Sequence, residues 1–500
     1  MFKSVRSLVT KPPTSKTTHR ETLLILIFSI LIFLWALFYK LINYRDLAYT
    51  SDLFQFAQLA TSWLKGHFLE DNCYGNHLSI HTYFLSPALS VFVLPFGPAG
   101  LLVVLALAMA SAFTAFAKIL RLFAVPIGLA CIASAVTILM PLSVHVYQDT
   151  PYGFHIELLM PAVGLWLTYF LLLRQWTGTL VFALTLLSMK EEAPLLVAAI
   201  AAVIIVEDFF REKFESSKVS WKSCFGSINR PALVVVTLAL LALPIFIYIL
   251  QNQPVTGYSP GNFKRISFKD NYPVNNLTSL VAYVCIMCKD WLRSEQMQQW
   301  LSVGFAITCG TIILRPQFLV LGLVTSVVAW LMQDDLMWAP RLAPSLAFFQ
   351  VAAAIGFASA YSYFSKGSAA RPPKQLFIFA AAATVVTVLI AIWECGIAEH
   401  STEFYRMQSS SEIKPDDRKR ADKLYAVYEK SRLPGEPTIA STFLFRYVAY
   451  QDLFWEVRLN GRPKPIWVLL DQGEGHTNVA KYWDYKLYAQ DGRFALFRKP

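Results

Sequence analysis

From Leu23 onward the chain alternates long apolar runs with short polar connections. Runs near 23–42, 99–120, 125–146, 154–173, 177–190, 193–207, 231–251, 298–313, 317–333, 345–364 and 375–396 approach the ~20 residues that cross about 30 Å of hydrocarbon. They predict a polytopic α-helical membrane protein with about eleven transmembrane helices and its two ends on opposite faces. The apolar stretch 83–96 is shorter, carries Pro87 and Pro95, and ends in Pro95-Phe96-Gly97-Pro98. It reads as an interfacial or re-entrant piece.

After Trp393 the pattern changes. Asp422–Lys430 has helical spacing, Ile466–Leu470 is an apolar strand, and Tyr485–Tyr488 with Phe494–Phe497 forms a hairpin about the Gln490-Asp491-Gly492 turn. The predicted organisation is a basic tail over 1–22, a transmembrane unit over 23–396 with its first loop at 43–98, and a small α/β domain over 397–500.

The formal net charge of +11 does not point to nucleic acid, because Lys and Arg are scattered through short connections rather than gathered into one stripe. Membrane orientation accounts for them. Lys3, Arg6, Lys11, Lys16 and Arg20 precede the first run and hold the N-terminus in the cytoplasm by the positive-inside rule. The run after them is too long for a signal-peptide core, so it is expected to be retained as the first span. The same topology places Lys118, Arg121, Arg174, Arg315 and Lys366 on the cytoplasmic face. It leaves 43–98, Asp149–Glu157, Lys190–Glu192 and 397–500 outside. Seven cysteines show no disulfide framework, and Cys285/Cys288 lacks the second pair a zinc site needs.

A chain that is 55% hydrophobic and 15% charged has few polar groups to spare, so acids and histidines at the edges of apolar runs stand out. Ser51–Leu59 reads as a helix that begins at Asp52. That carboxylate either caps the helix, worth about 1 kcal/mol, or acts as a general base on an acceptor hydroxyl or amine. His77 and His81, with Asp71 before them, have the i, i+4 spacing of metal ligands on one helical face. They lack a glutamate between them, and the Gly75-Asn76 turn limits the helix. Hydrogen bonding to a donor pyrophosphate or to a neighbouring carboxylate is the alternative.

Asp149, His155 and Glu157 open another apolar run. An acid inside such a run must face a protein interior or a wet cavity. An acid here with His155 could bind a divalent cation, Mg or Mn, or polarise a substrate; an ion pair between Glu157 and Lys190 explains the same residues. Lys190-Glu191-Glu192 sits between two runs. Lys190 could neutralise the phosphate of a lipid carrier with Glu191 orienting it, or the three residues could form an ordinary hairpin loop. No phosphate-cradling loop, serine-hydrolase elbow, kinase signature or dinucleotide fingerprint occurs in a matching context, which disfavours direct ATP-driven or serine-hydrolase chemistry.

Asp52-Leu53 with Gln58 and Trp63, His77 with Pro87, Phe154-His155 with Glu157 and Pro161, and Lys190-Glu191 together resemble a bacterial family of predicted membrane proteins. This is the domain of unknown function 2079, related to the GT-C membrane glycosyltransferases. The family's pattern has a glycine and a second aspartate after the first; Phe54 and Ala57 stand in those places here. The resemblance implies a GT-C-like fold in a bacterial cytoplasmic membrane, with Asp52 as catalytic aspartate in a first outer loop lying on the membrane. It further implies that acids of the second outer loop, Asp149 and Glu157 here, hold a divalent metal; Gln58, His77, His81, His155, Lys190 and Glu191 are the expected substrate-binding residues. The expected reaction moves a sugar from a polyprenyl-phosphate carrier to an envelope acceptor. A lipid-carrier transporter or an assembly scaffold on the same fold is the rival expectation.

Overall fold

The computed structural model describes residues 18–45, 49, 51–71, 75–79, 81–139, 141–149, 152–215, 229–252, 339–365, 415–440, 453–454, 465–472 and 484–500. The expected spans at 298–313, 317–333 and 375–396 and the Cys285/Cys288 pair lie outside these residues.

The first helix, α1, runs His19–Arg45 and buries Ile25, Ser29, Ile32, Ala36, Lys40 and Asn43. Their spacing of three and four residues marks one face of a helix. Leu23, Leu26, Leu31 and Phe38 remain exposed on the other faces, as suits contact with lipid tails. The buried face packs along α4 (Ala99–Leu122), which is mostly apolar and largely enclosed. Ser29 and Thr114 share a 2.6 Å hydroxyl–hydroxyl bond across this contact, and Arg121 meets Glu21 at 2.6 Å.

Between them lie α2 (Ser51–Ser62), the two-residue antiparallel strands β1 (Glu70–Asp71) and β2 (Gly75–Asn76), and α3 (Ser90–Phe96). The apolar stretch expected not to cross the membrane is a 3-10 turn over Ser86–Leu89 followed by the seven residues of α3, far short of a span. It returns tightly onto α4. A Cβ at Gly100 would stand 2.1 Å from the Phe92 carbonyl oxygen, so only glycine permits the approach.

The run expected to span 125–146 is instead broken into α5 (Ile127–Leu139) and α6 (Pro141–Gln148). Pro141 accounts for the correction: it has no N–H to continue the ladder, and it sits comfortably at the first position of a new helix. A 3-10 turn (Ile156–Leu159) leads into α7 (Met160–Leu172), followed by α8 (Trp176–Leu187), α9 (Ala193–Glu215), α10 (Arg230–Asn252) and α11 (Ala339–Ser365). Trp166 on α7 donates to Ser111 Oγ on α4 at 2.7 Å, and Gln350 on α11 donates to Ser143 Oγ on α6 at 3.1 Å. Among the described residues three helices, His19–Arg45, Ala99–Leu122 and Arg230–Ile249, are long and apolar enough to cross a membrane.

The described residues from 415 onward form α12 (Pro415–Ser431) and a five-stranded mixed sheet. Its strands are β3 (Thr438–Ala440), β4 (Leu453–Phe454), β5 (Trp467–Asp471), β6 (Lys486–Asp491) and β7 (Phe494–Arg498), in the order β4-β3-β5-β7-β6. β3 runs parallel to β4 and β5, whereas the β6–β7 hairpin is antiparallel. α12 covers β6 and β7, and Tyr428 closes it onto the sheet through a 2.8 Å bond with Thr438.

Candidate functional site

Three segments that are remote in sequence converge: the start of α2, the connection between α6 and α7, and the turn between α8 and α9. Asp52 lies in the first turn of α2, where a carboxylate is favoured by the exposed backbone N–H groups. Its Oδ2 is 3.2 Å from Nε2 of His155, and the Nδ1 of that ring lies 2.6 Å from Asp149 Oδ2. Both ring nitrogens therefore face carboxylate oxygens and both donate, which makes His155 an imidazolium held between two anions. Burial is graded along this row: the Asp149 side chain is fully enclosed, His155 is 5% exposed, and Asp52 is 18% exposed. Asp52 is the member a substrate can reach.

The backbone under this row is unusual. Asp149 is left-handed at φ +49 directly after α6, a conformation that costs a non-glycine residue on the order of 1–3 kcal/mol. Its N–H donates to the His145 carbonyl at 3.1 Å, and its own carbonyl accepts from Gly153 at 2.6 Å. Gly153 is also left-handed, at φ +87, and an added Cβ would meet the Tyr49 ring at 2.9 Å. The turn thus requires glycine at 153, and the extended His155 that follows is aimed at Asp52. Phe56 lies against His155 with ring centres 5.5 Å apart.

A second row is centred on Glu157. Its Oε1 accepts from the Tyr83 hydroxyl at 2.9 Å and from Lys190 Nζ at 3.0 Å; Lys190 also lies 3.4 Å from Glu192. The ion pair weighed from the sequence is therefore present. Lys190 is committed to two protein carboxylates. Next to it, Glu191 accepts from His81 Nδ1 at 2.7 Å and from the Thr82 N–H at 3.2 Å. Burial alone would raise the Glu191 carboxyl, but His81 and Lys190 outweigh it and hold the group at about 2. Burial pushes Glu192 upward, against the pull of Lys190.

His77 and His81 lie on a single short turn rather than on an α-helix. His77 opens a 3-10 turn, the His81 N–H donates back to the His77 carbonyl at 2.9 Å, and each ring turns to its own carboxylate, with His77 Nδ1 2.7 Å from Asp71. Their ring centres are 6.3 Å apart, and both rings lie tilted against Tyr83. Among the described residues no three His, Cys, Asp or Glu side chains converge to hold a metal ion. Asp149 and Glu157 belong to separate ion pairs, and each keeps one buried oxygen without a hydrogen bond, Asp149 Oδ1 and Glu157 Oε2. These residues do not fit a divalent-ion cage. Gln58 is buried on α2, six residues beyond Asp52 and so about 120° away around the helix.

Tyr83, Glu192 and Lys40 were not singled out from the sequence as site residues. Lys40 had a visible signal, a lone lysine inside an apolar run; Tyr83 had none.

The model of a family described as predicted membrane protein, DUF2079, matches residues 43–388. Comparison with curated proteins finds no relative. Similar solved structures include ArnT from Cupriavidus metallidurans bound to undecaprenyl phosphate, at 11% identity and a TM-score of 0.49, covering 96% of this chain and 98% of that one. The Archaeoglobus fulgidus oligosaccharyltransferase AglB, in complex with an inhibitory peptide and a dolichol-phosphate, is similar at 13% identity and a TM-score of 0.40, covering 94% and 74%. With more than half of its length matched by one family model, the chain belongs to the DUF2079 family of predicted membrane proteins.

Proposed function

We propose that this protein transfers a sugar from a polyprenyl-phosphate-linked donor to an envelope acceptor at the outer face of the membrane. The observation that carries the reading is the Asp52–His155–Asp149 row, in which a reachable carboxylate is locked in place by a buried imidazolium and a second, enclosed carboxylate. The GT-C resemblance of the sequence around these residues supplies the reaction class.

In this scheme the acceptor hydroxyl or amine approaches Asp52. Its proton passes to an oxygen of Asp52 as the acceptor atom bonds to the anomeric carbon. The bond from that carbon to phosphate oxygen breaks, and the polyprenyl phosphate leaves with the electron pair. A positioned general base contributes on the order of 10²–10⁴ in rate. His155 does not take the proton, because both of its nitrogens already donate; it aligns Asp52 and balances its charge. Lys190 meets the donor phosphate by exchanging Glu192, its longer carboxylate contact, while Glu157, itself held by the Tyr83 hydroxyl, keeps the ammonium in place.

The buried pairing of Lys190 with Glu157 favours a second reading, in which these charges only hold helices together and the protein is a lipid-carrier transporter or scaffold. Incubating purified protein in lipid with a panel of polyprenyl-phosphate sugars, with and without divalent metal, separates the two. Donor consumption supports transfer or donor hydrolysis. Carrier binding without consumption of any donor supports the second reading.

A further inference from the structure

α1 carries a lysine that the chemistry above does not use. Lys40 has no exposed surface, although the helix before it carries no charge from Leu23 to Tyr39. Its Nζ donates at 3.1 Å to the main-chain carbonyl of Gln148, the last residue of α6. Carbonyls at a helix C-terminus lack intrahelical partners and carry the negative end of the helix dipole, so an ammonium there is doubly favoured. The next residue is Asp149, whose left-handed backbone persists only where its surroundings over-determine it. Three constraints meet on it: the Lys40 bond immediately before, the N–H to His145, and the carbonyl held by Gly153. Lys40 thus couples the first helix to the turn that aims His155 at Asp52.

We propose that Lys40 is a positioning residue: by clamping the Gln148 carbonyl it fixes Asp149, and through Asp149 the ring of His155 and the carboxylate of Asp52. It touches no reacting atom. The alternative is that Lys40 only fills and neutralises its surroundings. The part of the proposal that concerns turnover rests on the glycosyl-transfer reading; the part that concerns the geometry of His155 does not.

The test uses full-length protein in lipid nanodiscs with ¹⁵N-labelled histidine. Wild type should show two side-chain N–H signals from His155, identified by their loss in His155→Gln. In Lys40→Met these signals should shift or vanish through exchange with water, and donor turnover should fall by about 100-fold in kcat with KM little changed, as for a misplacement of about 1 Å. Lys40→Arg, which keeps charge and donors, should recover most of the loss. A folded Lys40→Met protein with both His155 signals unchanged overturns the proposal. Should Lys40→Met fail to fold, Lys40→Gln, uncharged and one bond shorter, is measured in the same way: shifted signals support the role and unchanged signals overturn it. Absence of turnover in wild type would count against glycosyl transfer alone and leave the His155 signals to decide the role of Lys40.

Discussion

Asp149 accepts a 2.6 Å hydrogen bond from Nδ1 of His155, and neither side chain is more than 5% exposed. A short charge-assisted bond at that depth fixes the ring, so that its other nitrogen can meet Asp52 in only one way. His155→Gln removes the cation between two acids. Turnover of a polyprenyl-phosphate sugar should fall by about 10²–10³. Steady-state kinetics of the folded variant checks this, and a loss below tenfold would show that the row does not organise the site.

Glu191 makes stability depend on pH in a defined direction. Its folded-state value of about 2 lies below the ordinary 4.5, so it contributes stability above pH 4.5 that is lost as pH falls from 4.5 toward 2. Thermal unfolding of wild type and Glu191→Gln across that window should give curves that converge on acidification. Curves that stay a constant distance apart would contradict the pairing with His81.

Glu157 and Lys190 should behave as one unit. Removing either partner leaves a buried charge without its nearest counter-ion, at a cost of about 3–5 kcal/mol. The double variant Glu157→Gln/Lys190→Met should cost less than the sum of the two single variants. A double-variant cycle in detergent unfolding measures the coupling, and additive costs would place the two side chains out of contact.

Gly153→Ala should destabilise the protein and reduce turnover together. The position is left-handed, and an added methyl would press on the Tyr49 ring 2.9 Å away. Strain of this kind costs on the order of 1–3 kcal/mol, which thermal unfolding can read. An alanine variant as stable as wild type would mean that the turn can relax without its glycine.

Much of the fold was legible because it is local. Alternation about Gln490-Asp491-Gly492 predicts the hairpin that the structure shows as β6 and β7, and Ser51–Leu59 predicts α2. The continuous run over 125–146 misled, because hydropathy averages over Pro141 while the backbone cannot. The i, i+4 spacing of His77 and His81 corresponds to one backbone turn, in which the His81 N–H meets the His77 carbonyl, but the sequence does not show that each ring pairs with a different acid. For the candidate site, residue type was readable and partner was not. Charges in an apolar chain announce themselves, so Asp52, Asp149, His155, Glu157 and Lys190 stand out. Asp52 meets His155 across more than a hundred residues, and only the packing of α2 against the turn before α7 brings them together. Tyr83 gave no signal because its hydroxyl acts through Glu157, a partner that the sequence does not place.

The central claim is that Asp52 acts as a carboxylate. Asparagine preserves the shape and starts a helix nearly as well, so Asp52→Asn isolates the charge. The decisive measurement is donor consumption by wild type and Asp52→Asn, both folded and both shown to bind the carrier lipid, with the donor that wild type consumes fastest. The account predicts that the variant binds donor but loses turnover by about 10²–10⁴. Equal turnover by the two proteins would contradict it.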